Sequence, residues 1–198
     1  RPSIIRNKRQ FDSEGRLTAS DVELTLIPYY AWAHRGAGNM MVWLPQEVSA
    51  TSPSMPATLA SESRVDASHK TTALSAINDR LVPVDENDRS MAYYHWWPKK
   101  NSTEWITYEF PKPSKVSSST VYWFDDEPWG GCRVPQSWKL YYKNEQGGWT
   151  PVSASGEYGT KKGVPNTVEF TPVQTTAMKL EVVLPKDNSA GVFEWEVE

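Results

Sequence analysis

The sequence predicts an all-β chain, a sandwich or barrel of short antiparallel strands, and three observations predict it. The 198 residues include ten Trp, nine Tyr and 15 Pro, so the apolar content sits largely in rings, which favour strands over helices. Stretches at 104–110, 116–124, 137–143, 149–153, 167–171, 177–184 and 192–197 read as short strands punctuated by Gly, Pro, Asn and Asp, a spacing typical of antiparallel sandwiches and barrels. Within these stretches apolar and polar residues alternate, as expected for strands with one face in a core.

Taken in order, residues 1–20 are polar and without period and are expected to be poorly ordered unless docked. The chain opens "RPSIIRNKRQ", with neither an initiator methionine nor an apolar signal core, and reads as the continuation of something upstream. Residues 21–45 look like two strands, Leu24, Leu26 and Pro28 alternating with Glu23, Thr25 and Ile27, joined by the turn "RGAGN". Two strands alone would be marginal in water. The Ser/Thr/Pro-rich "QEVSATSPSMPAT" has the composition of a linker or strap, which places a boundary at 49–56 between an upstream segment, 1–48, and a domain at 57–198. The one candidate helical turn is "TTALSAI", 71–77. In "EWITYEF" Ile106, Tyr108 and Phe110 share an inward face with Glu104 at its mouth, and Trp105 is expected as a buried plug. In "AMKLEVVL" Met178, Leu180, Val182 and Leu184 form the apolar side.

Composition excludes several roles. No apolar run approaches the roughly 20 residues of a membrane span, so no membrane partner is expected. A net charge of -3 supplies no basic stripe for nucleic acid. Cys132 is the single cysteine, which removes an intrachain disulfide and a thiolate metal cluster; it reads as a plain small side chain. His34, His69 and His95 are scattered, with no metal-motif spacing.

Two resemblances organise these readings. "LIPYYAWAHRGAGNMMVWLP" resembles the end of the catalytic portion of β-L-arabinofuranosidase-type enzymes, glycoside hydrolase family 127 and its relatives. Residues 57–198, through "ALSAINDR", "STEWITYEFPKPSKVSSSTVYWF", "SWKLYYKNEQGGWTPV" and "AGVFEWEVE", resemble discoidin or factor 5/8 C-type domains, the galactose-binding-like jelly rolls that include family 32 carbohydrate-binding modules. The resemblance implies a jelly-roll sandwich preceded by a β-hairpin remnant of an upstream sandwich. It also implies a non-catalytic C-terminal module of a secreted bacterial glycosidase, periplasmic or extracellular. In that enzyme family a zinc-bound cysteine upstream does the chemistry, and a chain with one cysteine cannot build that site. Implied partners are glycans, plant-type or other, and the upstream catalytic domain of the same chain. A structural Ca²⁺ is implied as well, with Asp79 in "INDRL" and Glu194 in "FEWEVE" at the corresponding places, although "DR" stands where the family has "DG".

Sugars present C–H patches and hydroxyl edges, so their receptors pair an exposed ring with polar groups. Trp96 and Trp97, in the loop before Pro98, are candidates, since two consecutive rings there cannot both be buried easily. Trp129, between Pro128 and Gly130, is the clearest loop-tip ring, with Asp126 and Arg133 near in sequence as hydrogen-bonding partners. Asp125 and Asp126 read first as a polar strand end, because neighbours on a strand point to opposite faces. The alternative to sugar binding is a brace: the same rings packing on the catalytic domain, without a ligand of their own.

Overall fold

The computed structural model describes residues 56–70 and 73–198, all within the second of the two units into which the chain divides, Ser54–Glu198. The strand pair expected at 21–45, and all of the 49–56 linker except Pro56, lie outside the described residues.

Among the described residues seven strands form the domain: β1 (Arg64–Ala67), β2 (Tyr94–His95), β3 (Thr103–Phe124), β4 (Ser137–Lys143), β5 (Trp149–Pro151), β6 (Asn166–Val183) and β7 (Gly191–Val197), with a 3-10 turn at Leu74–Asn78. All strand–strand pairs are antiparallel. The hydrogen-bonded order is β2-β7-β3-β6-β4-β5, with β1 added beside β3.

Two long strands turn this ladder into a sandwich. Residues 106–109 of β3 lie between β1 and β6, whereas residues 119–121 lie between β7 and β6. Register shifts between Glu109 and Ser114 and between Val116 and Ser118 mark where the β3–β6 pair bends. The stretches expected separately at 104–110 and 116–124 are thus the two arms of β3, and those at 167–171 and 177–184 are the arms of β6. The sequence break at "PKPSK" is a bend in continuous strands. β1 and β2 are additional strands, too short to show a period.

Alternation places the core as expected. Ile106, Tyr108 and Phe110 point inward with Met178, Leu180, Val182 and Leu184, and meet Val121, Trp123 and Trp195 of the other layer. Rings cross the gap: Tyr108 stacks on Trp195 at 4.1 Å, and Trp123 meets Trp138 edge-on at 5.7 Å. The Tyr108 hydroxyl lies 2.9 Å from the Ile77 carbonyl and 2.7 Å from that of Trp195, tying the 3-10 turn to the sandwich. Glu104 is buried at the mouth of its face, where Lys99 Nζ reaches it at 2.7 Å and the Ser68 and Ser102 hydroxyls donate to it. Trp105 is half-buried on the outer face rather than a plug: the alternation that turns Ile106 inward turns Trp105 outward, opposite Glu181.

Tyr108→Phe keeps the ring stack and removes the one donor shared by two buried carbonyls. It is expected to cost about 1–3 kcal/mol, read as a lower urea midpoint at unchanged slope.

Candidate functional site

The cluster "YYHWW" divides by strand alternation. Tyr94 and Trp96 are fully buried, and Tyr93, His95 and Trp97 turn the other way into an open cleft of about 570 Å³. Trp96, a candidate ligand platform on sequence, is a core residue. Its ring is 0% exposed, and its Nε1 donates to Ser68 Oγ at 3.2 Å, the hydroxyl that also binds Glu104. The neighbouring Trp97 is 46% exposed.

The cleft floor is aromatic. Tyr93 stacks on Phe124 at 3.9 Å and meets Phe193 edge-on, and Arg89 lies over both stacked rings while donating to Tyr93 Oη at 2.8 Å. His95 stands beside them, its Nδ1 buried and without a hydrogen-bond partner. Burial, and then His69, lower its pKa, with Asp126 opposing, so the imidazole is neutral at pH 7. Its two nitrogens provide one donor and one acceptor.

The far wall is the loop that follows β3, and two adjacent aspartates build it. Asp125 is buried and accepts from the backbone N–H groups of Glu127 (3.0 Å) and Val134 (3.1 Å), with Lys162 Nζ at 3.0 Å. Asp126 Oδ1 accepts from the Cys132 N–H at 2.8 Å, and its backbone carbonyl accepts from the N–H groups of Trp129 and Gly130, both at 2.9 Å. Both carboxylates therefore shape a loop, in line with the reading as a strand end entering a turn, and Asp126 keeps an edge in the cleft. Arg133 does not line the cleft. Its Nη1 lies 3.4 Å from Asp126 Oδ1 and donates to the carbonyls of Gly130 and Cys132, which makes it a support behind Asp126. Cys132 is buried below, its thiol pushed up to about 12 by burial and by Asp126, and is inert as a nucleophile.

At the tip Trp129 is 87% exposed. The two glycines after it allow the loop to close. A Cβ on Gly130 would stand 1.7 Å from Asp126 Oδ2, and one on Gly131 would stand 2.3 Å from Trp97 Cζ3. Structure thus brings Trp97, Asp126 and Trp129 to one cleft, leaves Arg133 behind it and removes Trp96. Sequence reading missed Tyr93, His95 and Phe124; extending the alternation already used for strands to 93–97 would have found the first two.

A second constellation lies against the 3-10 turn. Glu194 is fully buried on β7; its Oε2 accepts from the Arg80 N–H at 3.0 Å and its Oε1 has no partner. Asp79, which ends the turn, interacts with Glu194 through its own carboxyl group and accepts from the Leu81 N–H at 2.9 Å. Burial, reinforced by Asp79 and Glu196, pushes Glu194 up to about 9, and burial also raises Asp79. Arg80 adopts φ 68°, so the tight turn forms without glycine, at a steric cost.

Comparison with known proteins defines the class. The F5/8 type C domain family model matches residues 57–196, and the chain belongs to that family. Ahead of it, residues 5–45 match the glycoside hydrolase family 127 C-terminal domain. The solved structures similar to it include a chain of the Streptococcus pneumoniae β-galactosidase BgaA, 18% identical over 67% of this chain and 89% of that one, with a TM-score of 0.58. The family 32 carbohydrate-binding module of Clostridium perfringens NanJ, solved with galactose, is 19% identical over 70% and 95%, with a TM-score of 0.53. A second C. perfringens module of that family, solved with GalNAc-β-1,3-galactose, is 15% identical over 72% and 99%, with a TM-score of 0.54. At these identities the likeness is one of fold: the domain is a galactose-binding-like jelly roll. Among the described residues no helix is long and apolar enough to cross a membrane.

Glu194 carries a pH prediction. Unfolded, it returns to the ordinary carboxylate range, about 4.3. Between there and about 9 the folded chain holds a proton that the unfolded chain releases. Its contribution to stability is therefore fully present below the carboxylate range and is lost as pH rises through about 9. In metal-free buffer the denaturation midpoint is expected to fall across that window, and Glu194→Gln to flatten the trend. An unchanged slope in the variant would place the proton elsewhere.

Proposed function

We propose that residues 57–198 are a non-catalytic, carbohydrate-binding accessory module of a secreted glycoside hydrolase of the family 127 type, working outside the cytoplasm of a bacterium. The observation that carries this is the cleft: two exposed tryptophans, Trp97 and Trp129, line it together with the His95 imidazole and a carboxylate edge of Asp126. Ring faces of this kind cover the C–H side of a sugar, while His95 and Asp126 satisfy its hydroxyls. Asp126 is held in place for this by Arg133 and the Cys132 N–H. Similarity of the fold to modules solved with galactose and with GalNAc-β-1,3-galactose supports the reading, and the match ahead of it supports a glycosidase parent.

The competing reading, a brace on the catalytic domain, draws on the same exposure of Trp129. A brace would need a partner surface that matches the polar edges of His95 and Asp126 in the cleft, whereas a sugar carries hydroxyls for both.

Asp79 and Glu194 are proposed as ligands of a structural Ca²⁺. Glu194 Oε1 is a buried oxygen in need of a partner, and two carboxylates forced together suit a hard dication. No group of three acidic, His or Cys side chains is assembled among the described residues. Backbone carbonyls and water would complete the shell, as calcium tolerates. The ion would neutralise the pair and fix the turn that Tyr108 holds from the other side.

Trp129→Ala is expected to abolish binding of galactose or GalNAc-β-1,3-galactose by calorimetry while changing stability by less than about 0.5 kcal/mol; a buried Trp→Ala would instead cost about 3–5 kcal/mol. Sugar binding retained in both Trp97→Ala and Trp129→Ala would remove the cleft as the sugar site, and no binding by wild-type protein that still captures the separately supplied catalytic domain would favour the brace. For the metal, EDTA is expected to lower the melting temperature of protein loaded with calcium. The loss is about 2.7 kcal/mol when free metal had stood at ~100 times its dissociation constant, and Asp79→Ala should lose the bound calcium. A melting curve indifferent to EDTA would remove the site.

A further inference from the structure

The outer face of the layer β1-β3-β6-β4-β5 carries a second set of rings, which shares no lining residue with the loop cleft. The alternation that buries Ile106, Leu180 and Leu140 turns Trp105, Lys179 and Tyr141 outward. On the edge strand β5, Trp149 is 39% exposed beside Lys143. Trp105 and Trp149 stand on either side of β6 and β4, and with Thr107 and Lys179 they bound one open cleft of about 290 Å³. That size lies near the lower end for small-ligand sites, about 300–1,000 Å³. An adjoining cleft of about 190 Å³ shares Thr107 and Trp149 and runs on toward β1, so the two form one groove across the strands.

The floor of this groove indicates what would fill it. Lys179 Nζ lies 4.2 Å from the Tyr141 ring centroid and 5.7 Å from that of Trp149, and 2.8 Å from Glu181 Oε2. Glu181 Oε1 in turn accepts from the Tyr141 hydroxyl at 3.0 Å. Farther along, Arg64 pairs with Glu109 at 3.4 Å and Lys70 with Asp66 at 3.2 Å. These three pairs cancel and leave Lys143, which lines the groove beside Trp149, as a single uncompensated cation among the described lining residues. The net field available to attract a polyanion is therefore weak. A flat apolar protein face would have to bury the Lys179–Glu181 pair, at a desolvation cost. A ligand with C–H faces and neutral hydroxyl edges meets neither obstacle. The ring walls cover its faces, while Thr107 and the unused N–H groups of Lys179 meet its edges.

We propose that this groove is a second glycan-binding site, taking a neutral oligosaccharide chain with Trp149 as the ring platform, Trp105 as the opposite wall, and Thr107 and Lys179 as hydrogen-bonding groups. It is separate from the loop cleft and does not require that cleft to bind sugar. Where both are filled by one polysaccharide, the second contact becomes intramolecular and avidity rises without further contacts.

The test is titration of the ¹⁵N-labelled full chain, followed through its tryptophan indole N–H resonances. The probes are two neutral fragments, β-1,4-galactotetraose and β-1,4-xylotetraose, with a galacturonic-acid tetramer as the acidic control. The indole resonances of Trp105 and Trp149 are expected to shift saturably with at least one neutral fragment. They should do so equally in Trp129→Ala, which separates this site from the loop cleft. Trp149→Ala is expected to weaken the shift at Trp105 by about tenfold. If that variant unfolds, the wild-type titration still decides, and Trp105→Ala read at Trp149 repeats it from the other wall. No shift at either indole with either neutral fragment would overturn the proposal, as would a stronger response to the acidic tetramer. So would shifts that follow protein concentration alone with a dimer in sedimentation, which would assign the face to a second copy of the chain.

Discussion

The stack of Tyr108 on Trp195 is the contact on which the rest of the domain depends. It joins the two layers at 4.1 Å between ring centroids, and the same phenol lies at the carbonyls of Trp195 and Ile77. One side chain therefore fixes the sandwich spacing, the position of the 3-10 turn and, through that turn, the approach of Asp79 to Glu194. The constraint is unforgiving because both carbonyls are buried and look to one hydroxyl. A sandwich with few helical elements has little else to set the distance between its layers, and large rings meeting across the gap supply the dispersion contacts that do so.

The domain uses its many rings in two ways, and strand geometry alone sorts them. At 93–97 every second ring enters the core and the others line the cleft; along β3 the same rule buries Tyr108 and leaves Trp105 outside. Placement in the core comes with a polar partner for the ring heteroatom: Trp96 bonds Ser68, Trp138 bonds the Gly159 carbonyl, and Trp195 bonds Ser119. Outside, the polar groups near the rings are left with spare hydrogen-bonding capacity. The edge of Asp126 in the cleft and the Lys179 ammonium are of this kind, and they turn ring-covered surface into surface that can recognise hydroxyls. At the loop cleft this depends on Gly131, because any side chain there would meet the Trp97 ring.

Much of the fold was legible because alternation is a local property of extended backbone. The inward faces at 106–110 and 178–184, the strand at 137–143 and a turn near 71–77 needed only the sequence. The site was legible in part: "EPWGG" gave an exposed loop-tip ring because proline and glycine act on their own backbone, and that holds in any fold. Trp96 and Trp97 could not be told apart from a loop reading. Alternation puts Tyr93, His95 and Trp97 on one side and Tyr94 and Trp96 on the other, but all five are rings, so which side is buried is decided only by the two-residue strand at 94–95 pairing with β7.

The sequence by itself thus determined the class of structure, the faces of its long strands and the place of its most exposed ring, all consequences of backbone chemistry acting over a few residues. Only the tertiary structure decided that "PKPSK" is a bend within one strand, that Arg133 supports Asp126 from behind, and that His95 and Phe124 line one cleft with Trp129. It also placed Glu194 beside Asp79 and aligned Trp105 with Trp149 on one face. These relations join residues far apart along the chain, and strand register, set by the cross-layer packing of the core, is what brings them together.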